Sequence, residues 1–329
     1  MGPDDTPQLS GRCPLCRARG LQPTARSLRH GDGRRHFAYV CSHCGLLLDE
    51  NSRNDEAANA FFQRLMSCDV IEPSLNDPVG FDLYTLRTLA SRFDLAALPA
   101  DAAQAEGLEM PHADLAARAR LLPLAALAPT PVSVGVICSE RELATVLDRA
   151  GDMRSWAREL VVLVDRPATT PAIRDAFVAV LSRPLEGNFA AQRNALQAHC
   201  ASPWVLQLDA DESLSDGLGS RLGRFAALAD QQGAVSVGLP RENLVEGRLT
   251  DLYPDIQYRL NRREILFEGV VHERPVRPWQ KSFITLSGAI RHHLTAEHVA
   301  NRSGTYEALN PGGGRLFEAA ALSRAYSPF

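Results

Sequence analysis

Two carboxylates with the spacing of metal ligands follow an apolar segment of the chain. Asp209 and Asp211, with Glu212 beside them, come directly after the apolar run 204–208. Because strand side chains alternate between two faces, those at 209 and 211 leave the strand end on the same side. Two such carboxylates can share Mg²⁺ or Mn²⁺ with phosphate oxygens and water. The spacing indicates a cation site suited to a nucleotide diphosphate; the alternative is that these carboxylates cap a helix from Ser213 onward.

The segments around this motif predict the elements that position it. Residues 132–137 and 160–165 are apolar runs typical of buried parallel strands, and residues 188–200 have the amphipathic pattern of a helix. Alternation of this kind predicts an α/β fold with a mixed, mainly parallel sheet flanked by helices. Ligands of such sheets bind at the carboxyl ends of the strands, where Asp165 and Asp209 both lie.

Five segments resemble, in their order, the family 2 glycosyltransferases of the GT-A fold, in particular the branch that acts on lipopolysaccharide cores and related acceptors. They are residues 161–165 (VVLVD), 187–194 (GNFAAQRN), 206–212 (LQLDADE), 258–263 (YRLNRR) and 269–273 (GVVHE). The resemblance implies a nucleotide-sugar donor bound across the first strands, a catalytic Mn²⁺ or Mg²⁺ ion, and inversion at the anomeric carbon. Asn261 stands where the family usually has phenylalanine, so an aromatic wall near the acceptor is expected to be missing.

Carried over residue by residue, the resemblance implies a role for each carboxylate of the donor side. Asp165 would hydrogen-bond the donor base, Asp209 the ribose, and Asp211 the metal ion that bridges the diphosphate. Departure of a sugar from a diphosphate leaves negative charge on oxygen, which a divalent cation neutralises. The resemblance therefore makes Asp211 both a metal ligand and a catalytic residue.

Basic and amide side chains in the same motifs are expected to complete the donor site. The resemblance places Arg193 and Asn194 near the donor phosphates, and Arg259 among the donor-binding residues. For Arg193 the alternative is a solvated helix position. His292 and His293 fall where related enzymes often carry a histidine that contacts metal or phosphate. Adjacent residues of a strand point to opposite faces, so at most one of these two can face the site.

The acceptor side requires a base that takes the proton of the acceptor hydroxyl. Glu273 is the candidate, provided that burial raises its pKa toward neutrality. The alternative is an ion pair between Glu273 and a nearby arginine, such as Arg259, Arg262 or Arg274. His272 is expected to position the acceptor beside this base, or to pack as a satisfied polar residue.

A separate signal near the amino end predicts a structural metal site. Two Cys-x-x-Cys motifs, Cys13 with Cys16 and Cys41 with Cys44, have the spacing of a zinc ribbon that holds one Zn²⁺ through four thiolates. Disulfides are the alternative, although only these four of the seven cysteines are paired by spacing. Arginines around the motifs could contact nucleic acid, but a net charge of −4 makes a folding or docking module the preferred interpretation.

Length and composition indicate two folded units with a connector. We expect a zinc ribbon over residues 1–50, a helical connector over 51–130, a GT-A domain over 131–300, and a C-terminal helix or tail over 301–329. No run approaches the ~18 apolar residues needed to span a bilayer. The chain is therefore expected to be cytoplasmic. A lipid-linked acceptor at the inner face of the membrane could be reached by a peripheral surface at Trp279, Arg274 and Arg277, for which a domain edge is the preferred interpretation.

The sequence thus predicts a metal-dependent inverting glycosyltransferase. The donor is a nucleotide sugar, and the acceptor is a hydroxyl of a glycan, a lipid-linked sugar or a peptide. The rival hypothesis is a non-catalytic interaction protein with a zinc ribbon and a degenerate glycosyltransferase-like domain. The presence of carboxylates at positions 209, 211 and 273 favours the enzyme.

Overall fold

The computed structural model describes residues 11–31, 33–50, 55–168, 172–173, 175–269, 273–301 and 316–328. His272, expected to act beside Glu273, lies outside the described residues. The chain divides into two compact units. The first is Met1–Ala126 with Phe283–Ser287 and Ser327–Phe329, and the second is Leu127–Ser282 with Gly288–Tyr326.

In the described part of the first unit, short antiparallel sheets combine with helices. One sheet has the order Leu21–Pro23, Tyr39–Cys41, Leu47–Leu48, Val79–Gly80, and another the order Val70–Ile71, Ala119–Pro123, Leu95–Pro99. A hairpin pairs Ser27–His30 with Gly33–His36. The helices are Asp55–Met66, Leu83–Ser91 and Ala102–Glu109, with a 3₁₀ turn at Leu124–Ala126.

The helical connector predicted for residues 51–130 is wrong in its class, because this stretch contains strands as well as helices. Ala119–Pro123 pairs with Leu95–Pro99 and places Leu121 opposite Ala97. Alanine and leucine favour a helix locally. However, Ala119, Arg120 and Leu121 are buried, exposed and buried in turn, which is the period of a strand. Burial against the rest of the unit therefore overrides local propensity.

The core of the first unit extends from the cysteine motifs to residue 121. Cys13 and Cys44 lie in one cluster of buried side chains with Phe62, Phe81 and Leu89. A ribbon of about 40 residues buries too little apolar surface to be stable without further support. Residues 55–121 supply apolar side chains to the same cluster as the cysteines.

The second unit is built on a mixed sheet, which confirms the α/β prediction. Within this unit, its seven described strands have the order Ala172–Ile173, Val178–Ser182, Glu159–Asp165, Val132–Ser139, Trp204–Asp209, Gln257–Arg262, Ser236–Leu239. The central four, from Val178–Ser182 to Trp204–Asp209, are parallel. The outer pairings are antiparallel. The carboxyl ends of three central strands therefore bring Ser139, Asp165 and Asp209 to one edge.

A smaller sheet carries the residues that follow the carboxylate motif. Its order is Glu212–Leu214, Ile290–Leu294, Arg241–Val245, Arg248–Leu249, and its register sets both Glu212 and Asn243 beside His292. The other elements described after residue 126 are helices, short strands and a 3₁₀ turn. The helices are Leu143–Asp148, Ala150–Met153, Phe189–Ala198, Leu218–Gln231 and Leu316–Leu322; the strands are Phe267–Glu268, which pairs with Arg274–Pro275, and Ser282–Ile284; the 3₁₀ turn is Trp279–Lys281. None of the helices in the described ranges is long and apolar enough to cross a bilayer.

The helix that carries Arg193 lies unusually close to the sheet. It begins after Asn188, whose side chain accepts a hydrogen bond from the Ala191 amide at 2.9 Å, as expected of an N-cap. Its Leu196 packs onto Gly135, where a Cβ atom would lie 2.8 Å from Leu196 Cδ2. Glycine at position 135 therefore lets the helix approach the central strand, which holds Arg193 against the end of the neighbouring carboxylate strand.

Candidate functional site

A cavity of about 340 Å³ lies in the second unit at the carboxyl ends of the parallel strands. Most of the site residues predicted for the donor and acceptor line this cavity: Asp165, Arg193, Asp209, Asp211, Arg259 and Glu273. His292 and His298 also line it. Residues from distant segments of the sequence therefore meet in one space, of a size that suits a small-molecule ligand.

Arg193 and Arg259 form a buried cluster with Asp209 and Glu273, called here the arginine–carboxylate cluster. Arg193 Nη2 donates to Asp209 Oδ1 at 2.7 Å, and its Nε donates to Glu273 Oε1. Arg259 Nη2 donates to Asp209 Oδ2 at 2.6 Å. Arg193 is only 1% exposed, so its expected alternative as a solvated helix position is wrong. Burial of a guanidinium is costly unless carboxylates compensate its charge, which this cluster achieves.

The cluster fixes the charge state of its carboxyl groups. Burial would raise the pKa of Asp209, but Arg193 and Arg259 outweigh it and lower that pKa far below its ordinary value. Burial likewise acts to raise the pKa of Glu273, and the same two arginines lower it below its usual range. The expectation that burial brings the Glu273 pKa toward neutrality is therefore wrong for this arrangement. The ion pair considered as its alternative is present, with Arg193 as the partner.

Asp211 lies outside this cluster and faces a histidine. Its Oδ2 is 3.2 Å from His292 Nε2. His292 Nδ1 lies 2.8 Å from Asn243 Oδ1, while Asn243 Nδ2 donates to Asp255 Oδ2 at 3.3 Å. Because the amide nitrogen of Asn243 is directed to a carboxylate, its oxygen accepts from Nδ1–H of His292. The Nε2 atom of the imidazole is thereby directed toward Asp211.

The two adjacent histidines point to opposite faces, as the strand period requires. His292 is buried and lines the cavity. His293 is exposed, and its Nε2 lies 2.8 Å from Ser213 Oγ. Of this pair, His292 is therefore the one that faces the site.

Glu212 has a structural role, and the helix-capping alternative for the acidic motif is wrong. Residues 212–214 form a strand, and the next helix begins after Gly217 without a side-chain cap. Glu212 is buried, and its Oε2 accepts from the Asp209 amide at 3.0 Å. Its Oε1 accepts from Arg241 Nη1 at 3.1 Å. Glu212 therefore holds the turn on which Asp211 is placed.

Two arginines that support this turn were not foreseen from the sequence. Arg241 binds Glu212 and also Asp255, and Arg149 donates to the Glu212 carbonyl at 2.9 Å and to the Ala210 carbonyl. Their partners lie 29 and 63 positions away along the chain. Such pairings leave no local pattern, and the only signal was an arginine within a strand-like run at position 241.

The other two residues predicted to bind the nucleotide-sugar donor, Asn194 and Asp165, differ in their surroundings. Asn194 exchanges hydrogen bonds with the backbone of Phe267, donating from Nδ2 to the carbonyl at 2.9 Å and accepting from the amide at 2.7 Å. It therefore holds a strand against the helix, and nothing in this geometry supports a contact between Asn194 and the donor. Asp165 lines the cavity and accepts from the Leu185 amide at 2.8 Å.

The four cysteines of the first unit come together as a potential metal centre. Their Sγ atoms all lie within 4.8 Å of one another, and Cys13–Cys44 and Cys16–Cys41 are separated by 3.6 Å. These distances exclude disulfide bonds, and they match the roughly 3.7 Å between thiolates that surround zinc at about 2.3 Å. Within the described ranges, no other group of three or more Cys, His, Asp or Glu side chains lies close enough together to hold a metal ion.

Comparison with known proteins gives a partial structural likeness. No protein-family model and no curated protein matches the chain. The crystal structure of S. aureus TarS is 14% identical with a TM-score of 0.34, and the match covers 55% of this chain and 40% of that one. The structure of S. aureus TarS 1-349 in complex with UDP is 13% identical with a TM-score of 0.33, and the match covers 54% of this chain and 64% of that one. The complex of TarS 1-349 with UDP-GlcNAc is 14% identical with a TM-score of 0.34, and the match covers 50% of this chain and 58% of that one. The chain thus spans less than two thirds of these structures, and a likeness of this extent identifies neither substrate nor activity.

Loss of one cysteine of the cluster is expected to remove the metal and unfold the first unit. In Cys44→Ser, zinc content measured by mass spectrometry should fall from about one ion per chain to nearly none, because a structural site needs its four ligands. Differential scanning calorimetry should show a lower unfolding temperature. Cys68→Ser, at an exposed cysteine outside the cluster, is the matched control. Equal zinc content and equal unfolding temperatures in both variants would contradict the assignment.

The arginine–carboxylate cluster predicts a loss of stability in acid. The folded pKa values of Asp209 and Glu273 lie below their ordinary values of 3.8 and 4.5, so the stability they contribute is complete above those values and decreases as pH falls below them. Urea unfolding across pH 6 to 3 should show this decrease. In Asp209→Asn the free energy of unfolding should be lower near neutral pH and should change less with pH. Parallel pH dependences for both proteins would show that the cluster does not hold Asp209 ionised.

Proposed function

We propose that the second unit is a metal-dependent inverting glycosyltransferase that moves a sugar from a nucleotide-diphosphate donor to an acceptor hydroxyl. The observation that carries this proposal is the Asp211–His292 pair, whose carboxylate and imidazole lie 3.2 Å apart on the wall of the cavity. The carboxylate is a ligand that suits Mn²⁺ or Mg²⁺, and imidazole is a common ligand of first-row transition metals. A bound cation would neutralise the charge that develops on the departing diphosphate.

In this proposal the two aspartates of the motif have different roles. Both carboxylate oxygens of Asp209 are engaged by Arg193 and Arg259, so Asp209 orients these arginines instead of binding the cation. Asp211 has one oxygen near His292 and remains the acidic ligand of the motif. Asp165 ends a strand that Val132–Ser139 separates from the strand of Asp209, and it binds the base of the nucleotide.

Arg193 has a further polar atom that a donor would satisfy. Its Nη1 is buried and has no hydrogen-bond partner within the described ranges, although its Nη2 and Nε are both paired. A buried hydrogen-bond donor that has no acceptor costs about 1–3 kcal/mol. An oxygen of the ribose or of the diphosphate would remove this cost, which supports a donor site that contacts Arg193.

Glu273 remains the proposed base, and the donor itself would make it a better one. With Arg193 and Arg259 as its neighbours, the carboxylate has a lowered pKa and holds a proton weakly. A diphosphate bound near Arg193 adds negative charge, which raises the pKa of a nearby carboxyl group. The acceptor proton would then move to Glu273 as the hydroxyl oxygen attacks the anomeric carbon and the diphosphate leaves.

A second candidate function is binding of a nucleotide or glycan without transfer. It is favoured by one observation, the ion pair between Arg193 and Glu273, because a carboxylate with a lowered pKa is a weak base. The two functions differ in turnover. Release of the nucleotide from a nucleotide sugar in the presence of an acceptor supports transfer, whereas tight donor binding without such release supports the binding protein.

Removal of the acidic ligand is expected to abolish metal-dependent nucleotide binding. Isothermal titration calorimetry of the zinc-loaded protein with UDP or GDP should give binding that requires Mn²⁺ and is at least about tenfold weaker in Asp211→Asn, because the cation loses its carboxylate. The matched control is Asp216→Asn, at a side chain that is 97% exposed and pairs with Arg291. Equal affinities in both variants, or affinity independent of Mn²⁺, would contradict the proposal.

Asn243, which accepts a hydrogen bond from Nδ1 of His292, is expected to affect the affinity for the cation. Asn243→Ala removes the acceptor that keeps the proton on Nδ1, and loss of such an outer hydrogen bond typically weakens metal binding by about 10–100-fold. Electron paramagnetic resonance titration with Mn²⁺ measures this change, with near-ultraviolet circular dichroism to check folding. His293→Ala, at the exposed neighbour, should bind Mn²⁺ like the wild type. An Asn243→Ala protein that is folded and has wild-type Mn²⁺ affinity would contradict the orienting role assigned to Asn243.

A further inference from the structure

Exposed apolar side chains concentrate on one short stretch of the second unit. Leu266, Val276 and Trp279 are 54%, 50% and 50% exposed, although they lie within 14 consecutive residues. Among the described residues, the other large apolar side chains of similar exposure are Val70 at 62% and Met110 at 61%, both in the first unit. Such a concentration on a monomer surface is typical of an interaction site.

The stretch forms the outer side of one wall of the cavity. Phe267 pairs with Pro275 in a two-stranded ribbon, and the Val276 amide donates to the Leu266 carbonyl at 2.8 Å. Phe267 and Pro275 are buried and line the cavity. Since neighbouring strand side chains point to opposite faces, Leu266 and Val276 lie on the other face of the ribbon. Trp279 follows Val276 by three residues, in the 3₁₀ turn Trp279–Lys281. The three exposed side chains Leu266, Val276 and Trp279 are called here the ribbon face.

Basic residues lie near the ribbon face along the chain. Between residues 263 and 281, the residues with positive charge are Arg263, Arg274, Arg277 and Lys281, and those with negative charge are Glu264, Glu268 and Glu273, of which Glu273 is paired with Arg193. The local balance is therefore positive, whereas the whole chain has a net charge of −4. Arg274 and Arg277 also line the cavity, so the positive charge continues to its mouth. A partner that complements this surface is apolar and anionic.

We propose that the ribbon face binds the surface of an anionic lipid bilayer. Leucine, valine and tryptophan side chains enter the boundary between headgroups and acyl chains, where tryptophan is favoured. Arginine and lysine contact lipid phosphates with their charged ends while their stems stay near the apolar region. This binding would place the mouth of the cavity at the membrane surface. It goes beyond the proposed sugar transfer and does not depend on it.

The experiment measures sedimentation of the full chain with vesicles of phosphatidylcholine, either alone or mixed with phosphatidylserine. Binding is expected with the mixed vesicles, and it should weaken as salt screens the basic residues. Leu266→Ser combined with Trp279→Ser should lower vesicle affinity at least about tenfold, because two large side chains no longer leave water. Lys281→Glu should lower it about fivefold or more, since each basic residue near an anionic surface contributes about that factor.

The matched control is the double variant Val70→Ser and Met110→Ser, which removes equally exposed apolar side chains from the first unit. It should bind vesicles like the wild type. The proposal is overturned if wild-type protein does not sediment with anionic vesicles, or if both double variants lose binding equally. It is also overturned if the ribbon variant keeps vesicle binding but loses self-association in sedimentation velocity, because the ribbon face would then join two copies of the chain.

Nucleotide binding separates this proposal from the proposed function. The Leu266→Ser/Trp279→Ser variant should keep the calorimetric UDP affinity of the wild type, which also shows that the second unit is folded. If the wild type binds vesicles but no nucleotide, the proposed function fails and the membrane site stands. If the wild type binds nucleotide with Mn²⁺ but does not bind vesicles, the membrane site fails and the proposed function stands.

Discussion

The compensation of one buried positive charge organises the cavity of the second unit. Arg193 is almost fully buried, and its guanidinium lies 5.8 Å from the centre of the Phe267 ring. Burial alone would lower its pKa, but Asp209 and Glu273 outweigh burial and raise it, so the charge is retained. Asp209 is at the end of a strand of the central sheet, and Glu273 directly precedes the ribbon strand Arg274–Pro275. The arginine therefore connects a helix, the central sheet and the ribbon, because loss of either carboxylate would leave its buried positive charge with less compensation.

Because the buried charge of Arg193 must be compensated, the neighbouring carboxylates have different roles. Asp209 binds two arginines, and Glu212 binds Arg241 and the backbone of Asp209, so both are committed to holding the site. Asp211 is directed to His292. An ionised carboxylate beside an oriented imidazole is then available for a cation, while the arginines retain positive charge for a phosphate-bearing ligand.

The parts of this arrangement that depend on local periodicity could be predicted from the sequence. The strand period correctly separated His292 from His293. Asp209 and Asp211 both line the cavity, but Asp211 lies on a turn after the strand, so the strand period does not account for its position. The two Cys-x-x-Cys spacings correctly predicted a four-cysteine cluster, since each motif brings its own sulfurs together. The pairing of Arg193 with Glu273 could not be predicted, because 80 positions separate these residues and only the assembled ribbon brings them together. The strand at Ala119–Pro123 was missed for a similar reason, since its partner strand rather than its composition determines its conformation.

A crystal structure with Mn²⁺ and UDP would show whether Asp211 and His292 form the cation site of a nucleotide-binding cavity. Anomalous scattering recorded near the manganese absorption edge locates the ion without reference to the protein. We expect a peak in coordination contact with a carboxylate oxygen of Asp211 and with Nε2 of His292, and with Asp209 still bound to Arg193 and Arg259. A nucleotide bound in the cavity with no manganese at this pair, or with manganese held by Asp209, would contradict the account.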